Sequence, residues 1–150
     1  MSNSGEVKSI YDKGVDLSGV SPTIDKMGEV DRFPPEEMER LKIVYSGMQS
    51  SKILNIFREL RTQLMKIRKK DNFICMVSSI CNDGGVSYIS SNLAAVFALD
   101  KSKTSLLIDA NLYAPSIDRL IIGDAPLGIT DYLGDPNLNI KDIVYATGIP

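Results

Sequence analysis

A polar, glycine-bearing turn runs from Ser78 to Gly85 (Ser-Ser-Ile-Cys-Asn-Asp-Gly-Gly). It stands between an apolar run, Phe73 to Val77, and a stretch in which Ile89, Leu93, Val96 and Phe97 recur at helical spacing. Strand, glycine-rich turn, helix is the geometry of a phosphate-binding loop. Amides at the start of a helix point at an anion, and glycine lets the backbone come close. Further on, Thr104 to Asp109 (TSLLID) is a second apolar run that ends on a carboxylate. If both runs are strands of one sheet, Asp109 sits at a strand's carboxyl end beside the first loop, the edge along which open α/β sheets bind ligands. Other chemistry is excluded by composition. The chain has no histidine, which rules out a Cys-His zinc site and any catalytic device that needs imidazole.

These residues need elements to hold them. The 150 residues suffice for one domain with a sizeable core. A net charge of −2 and a pI near 5.1 argue against a general nucleic-acid binder. No stretch is apolar for long enough to cross a membrane, and the first residues, MSNSGEVKSIYDK, have no apolar core and do not read as a signal peptide. Two cysteines, Cys75 and Cys81, are most simply reduced thiols, Cys75 packed in a buried strand, which points to the cytoplasm.

Residues 1–35 read as a linker or flexible arm, with single apolar residues and no sustained period. A helical lead-in spans 36–70. Its first helix opens at Pro34-Pro35-Glu36-Glu37, carries Met38, Leu41 and Tyr45, and stops near Gly47. Its second, about Ser51 to Lys70, sets Ile53, Phe57, Leu60, Leu64 and Ile67 on one apolar stripe, with a basic cluster at its end. A βαβ unit then covers 72–109, with parallel strands and a right-handed crossover. Short helices fill 110–150: a turn or helix from Pro115 through Leu120, a helix over Gly128 to Leu133 capped by Thr130, and another over Asn139 to Val144. Two parallel strands have too little surface to stand alone. The expectation is that more strands follow Pro150 or, as the second choice, that another chain completes the sheet.

Four segments in register resemble the bacterial tyrosine kinases of capsular and exopolysaccharide biosynthesis, P-loop proteins related to the MinD and ParA ATPases. Phe57-Arg-Glu-Leu-Arg-Thr-Gln-Leu64 is similar to the segment ahead of their P-loop. Val77-Ser78-Ser79, Gly85-x-Ser87 and Ser91-Asn92-Leu93-Ala94 resemble the P-loop and its helix. Leu106-Leu-Ile-Asp-Ala-Asn-Leu112, with Pro115 beyond, resembles their second acidic motif, and Gly128-Ile-Thr-Asp-Tyr-Leu133 a later stretch. The resemblance covers roughly Asn55 to the end. It implies an α/β fold, a P-loop NTPase-like parallel sheet with flanking helices, of which only the N-terminal part is present. It also implies ATP and magnesium as cofactors, with a degenerate nucleotide site at Asp83, Gly84, Gly85, Val86, Ser87 and Tyr88. Ser87 and Asp109 match the magnesium-side groups, and Arg58 and Arg61 match a helix that joins neighbouring subunits.

The departures decide the function expected. Val86 stands where the family has the lysine that spreads charge over the β- and γ-phosphates. Cys81 stands at the MinD-type signature lysine, Ile80 at the loop's first glycine, Asn111 at the second acid, Tyr113 and Ala114 at an arginine pair, and Asn55 at the acid of the contact helix. A third acidic motif and a terminal tyrosine cluster do not fall within the sequence. ATP and magnesium are therefore expected to bind weakly or not at all. The leading expectation is a kinase-like, catalytically impaired component of exopolysaccharide or capsule biosynthesis and export, acting in assembly or chain-length regulation. Its partners would be a polysaccharide co-polymerase at the inner membrane, a kinase paralogue, or both, with no nucleic acid and no transmembrane segment of its own. Its place would be cytoplasmic, with the inner membrane's inner face as a peripheral station. An active tyrosine autokinase and a ParA- or MinD-like ATPase are the alternatives.

Overall fold

The computed structural model describes residues 31–48, 51–67, 72–81, 83–100 and 104–149. The arm proposed for residues 1–35 lies almost wholly outside these, as does the basic cluster at 68–70. Among the described residues four α-helices order the chain: α1 (Pro35–Arg40), α2 (Ser51–Ile67), α3 (Val86–Ala98) and α4 (Ile129–Gly134). Two 3-10 turns, Asp118–Leu120 and Ile140–Ile143, flank α4.

The expected parallel sheet is not there. Among the described residues neither apolar run forms a strand, and the only β pairing is an isolated antiparallel bridge between Ile121 and Thr147. Asn72–Ser79 and Thr104–Asn111 run without helix, turn or bend, yet they do not pair into a ladder. The reason is one of cover. A parallel sheet needs both faces buried and several strands. Here the inner residues find partners: Phe73 meets Phe97 edge to face at 5.4 Å, and Leu107 packs on the core. The outer residues find none, with Ile74 92%, Met76 86%, Leu106 68% and Ile108 60% exposed. Cys75, expected inside a strand, is exposed for the same reason.

The helices follow the sequence more closely. α3 begins after Gly85, whose φ of +75° lies in the left-handed region, and buries Ser91, Asn92, Leu93, Ala95 and Val96. α2 packs against it, but on a face rotated from the expected stripe. Leu54 and Phe57 are buried and Leu64 is half-buried, whereas Ile53, Leu60 and Ile67 are exposed. Leu54, Phe57, Arg61 and Leu64 step at i, i+3, i+7 and i+10, so this is still one helical face.

α1 is shorter than expected. It stops at Arg40, and Lys42 takes a positive φ of 57° that turns the chain back. Met38, Leu41, Ile43 and Val44 are thereby all delivered to the core. The two ends of the described chain meet at Gly148, whose carbonyl accepts from Phe33 N at 2.7 Å and whose amide donates to Leu120 O at 3.1 Å. A Cβ on Gly148 would fall 2.7 Å from both Ile122 and Phe33, so the meeting requires glycine. The cap of α4 also differs from expectation. The Asp131 carboxylate, not Thr130, accepts from the amide of Gly128 at 2.8 Å.

Candidate functional site

The turn before α3 is shaped by one hydroxyl. Ser79 Oγ donates to Cys81 O at 2.8 Å and accepts from Cys81 N at 3.2 Å, closing the loop on itself. The same side chain lies against Gly84. A Cβ built there would come within 2.6 Å of Ser79 Cβ and closer still to its hydroxyl, so residue 84 has no room for a side chain. Asp83 takes a positive φ of 56°, an uncommon conformation for a non-glycine residue, just before it. Asp83, Gly84 and Gly85 are exposed, while Val86, Ser87 and Tyr88 are half-buried on the first turn of α3. No side chain caps that turn.

Ser87 and Asp109, drawn from separate segments, meet through a third residue. Ser87 Oγ and Ser116 Oγ lie 2.8 Å apart in a half-buried hydrogen bond. The amide of Ser116 donates to Asp109 Oδ2 at 2.8 Å, and that of Ile117 donates to the same oxygen at 3.2 Å. Asn111 N donates to Oδ1 at 2.9 Å. The Asp109 carboxylate thus organises the turn 109–117 and, through Ser116, ties it to the start of α3. Both side chains expected beside magnesium stand in one hydrogen-bonded cluster. In sequence Ser116 reads only as part of a turn, and nothing there distinguishes a turn serine that reaches across to another segment. Among the described residues no three His, Cys, Asp or Glu side chains are grouped to hold a metal ion.

Tyr88 turns away from this cluster. Its ring meets Phe57 edge to face at 5.9 Å and lines an open groove of about 340 Å³ with Lys42, Ile43, Val44, Met48 and Ile53. Neither Ser87 nor Asp109 lines that groove. Its wall is held by Asn92, which is fully buried. Asn92 Oδ1 accepts from Val44 N at 2.7 Å, and its Nδ2 donates to Lys42 O at 3.0 Å and Tyr88 O at 2.9 Å. Asn92 was legible only as part of a motif, and its work is to clamp the 42–44 turn onto α3.

The two arginines of α2 are not one outward patch. Arg61 is half-buried, and its Nη1 donates to Val96 O at 2.7 Å, satisfying a carbonyl at the C-terminal end of α3. Arg58 is exposed, and its carbonyl accepts from Thr62 Oγ1. Both lie on one side of the helix, but the side nearer Arg61 faces α3.

Compared with family models, with curated proteins and with solved structures, the chain gives no match. Among the described residues no helix is long and apolar enough to cross a membrane.

Proposed function

We propose that this chain is a kinase-like component of exopolysaccharide or capsule assembly that lacks effective phosphoryl transfer and acts by contact with other chains, in assembly or in control of polymer length. The motif resemblance from Phe57 to Leu133 supports the system. One observation above all supports the loss of chemistry: Val86 stands where the family has its charge-bearing lysine. Where a phosphate would need positive charge, the turn's donors are neutral hydroxyls and amides.

The residues present do not fit magnesium-bound ATP. Stabilisation of transferred phosphoryl charge is most of what a protein contributes to that reaction. Between Asp71 and Asp100 the sequence has neither lysine nor arginine. Asp109 already accepts three main-chain amides, and the Ser87 hydroxyl is bonded to Ser116. A hard cation would have to compete for these oxygens. Contact with a co-polymerase at the inner membrane or a kinase paralogue falls to surfaces away from the loop, Arg58 among them, with Arg61 as the internal support of that helix.

Removing the chain from its cell and sizing the surface polysaccharide tests the reading. The expected result is an altered length distribution, restored equally by the native chain and by Ser87→Ala. An unchanged distribution refutes the role in assembly. Restoration by the native chain but not by Ser87→Ala refutes the loss of chemistry.

A further inference from the structure

α2 carries a second stripe, roughly a quarter-turn round the helix from the face that packs on α3. Ile53, Ile56, Leu60, Gln63 and Ile67 step by three, four, three and four residues. That alternation is the seam of a coiled coil, with one polar residue set in it. All five side chains are exposed, Ile56 to 56% and Ile67 to 77%. Such a seam interlocks with the side chains of another helix, so the cover its spacing calls for is a helix. One flank of the seam is charged, with Lys52, Glu59 and Lys66 all exposed. The other flank is Phe57 and Leu64, which already pack on the chain's own core.

We propose that α2 of a second copy covers this seam, laid antiparallel about a twofold axis at the level of Arg61 and Thr62. The charges select the arrangement. In a parallel pair the charged flank meets the partner's apolar flank, and nothing answers Glu59. In an antiparallel pair charged flank meets charged flank, and the register decides the signs. With Ile56 opposite Ile67 of the second copy, and Leu60 opposite its Gln63, Glu59 of each copy meets Lys66 of the other. With Ile56 opposite Leu60 instead, Glu59 would meet Glu59 and Lys52 would meet Lys66, so like charges would repel. Among the described residues neither Glu59 nor Lys66 is in an ion pair within its own chain. Exposed pairs add little affinity, so the apolar seam holds the dimer and the charges set its register. Two heptads with a polar residue among them bury less than the roughly 800 Å² per partner of a standard interface, so the association is reversible. A twofold contact closes at two copies, and Arg58 and Arg61 lie off the seam. The pairing is independent of the function proposed above.

Sedimentation of the full chain across the micromolar range should show a monomer–dimer equilibrium. Ile56→Glu with Ile67→Glu should leave only monomer at an unchanged far-ultraviolet helix signal. Charge reversal reads the same contact without touching an apolar residue, and it decides alone if the isoleucine variant loses helix. At low ionic strength Glu59→Lys or Lys66→Glu should each weaken the dimer by about ten-fold, because either change turns two attractive pairs into two repulsive ones. Both reversals in one chain restore opposite charges and should recover most of that loss. A native chain that stays monomeric throughout overturns the proposal, as does a dimer that survives both glutamates in a folded chain. A double reversal that dimerises no better than either single one overturns the register.

Discussion

Asn92→Ala should be among the most damaging single substitutions in the described chain, although the side chain does no chemistry of its own. The amide joins α3 to the turn after α1 by two long-range hydrogen bonds, to Val44 N and Lys42 O. Val44 is 1% exposed, so its amide would lose its partner without gaining water, which costs about 1–3 kcal/mol. Lys42 is exposed, so its carbonyl rehydrates and adds less, about 0.5–1 kcal/mol. Together these give roughly 2–4 kcal/mol, or a fall in Tm on the order of 10 °C for a domain of this size. Urea denaturation followed by circular dichroism reads it directly. Asn92→Asp separates the two bonds, because it keeps an acceptor for Val44 N and loses the donor to Lys42 O. It also buries a carboxylate whose pKa must rise, so its deficit should be largest at neutral pH and shrink as the pH falls through that raised value. A loss below about 0.5 kcal/mol for Asn92→Ala, within the range of ordinary surface changes, would refute the clamp.

Three further outcomes are expected. Gly84→Ala should destabilise the native chain by about 1–3 kcal/mol and cost clearly less in a Ser79→Gly background, a coupling that a double-mutant cycle measures. Arg61→Ala should cost about 1 kcal/mol in urea denaturation through the uncapped Val96 carbonyl, whereas Arg58→Ala should stay within about 0.5 kcal/mol. The Glu37 carboxyl is held below its ordinary value chiefly by its hydrogen bonds to Arg40, which outweigh desolvation, with the Arg40 charge adding to them. A lowered carboxylate stabilises above its unfolded pKa and loses that contribution as the pH falls through the folded one. Glu37→Gln should therefore lower Tm at pH 7 and converge on the native chain as the pH falls through the lowered folded value.

The helices were legible because a helix carries its pattern within itself. The recurrence of Ile89, Leu93, Val96 and Phe97 marks α3 whatever surrounds it. The phase of the α2 face was not legible, since Ile53 and Leu54 are equally apolar and only the position of α3 decides which is buried. A strand, by contrast, is defined by its neighbour. The runs at Phe73 and Thr104 have strand composition, but no described segment covers their outer faces, and no sheet forms. The site divides in the same way. Ser87 and Asp109 are chosen by their place in motifs, and the chain brings them into one cluster. The bridge through Ser116 and the inward turn of Arg61 are tertiary facts that no local spacing encodes.

On the function proposed above, the turn before α3 does not accept a magnesium-bound nucleotide. Isothermal titration of Mg-ATP into the full chain, beside Val86→Lys, tests it most directly. No saturable heat is expected from the native chain, and any gain should come with Val86→Lys, where charge is restored. Saturable binding of Mg-ATP to the native chain at low micromolar affinity would contradict the account.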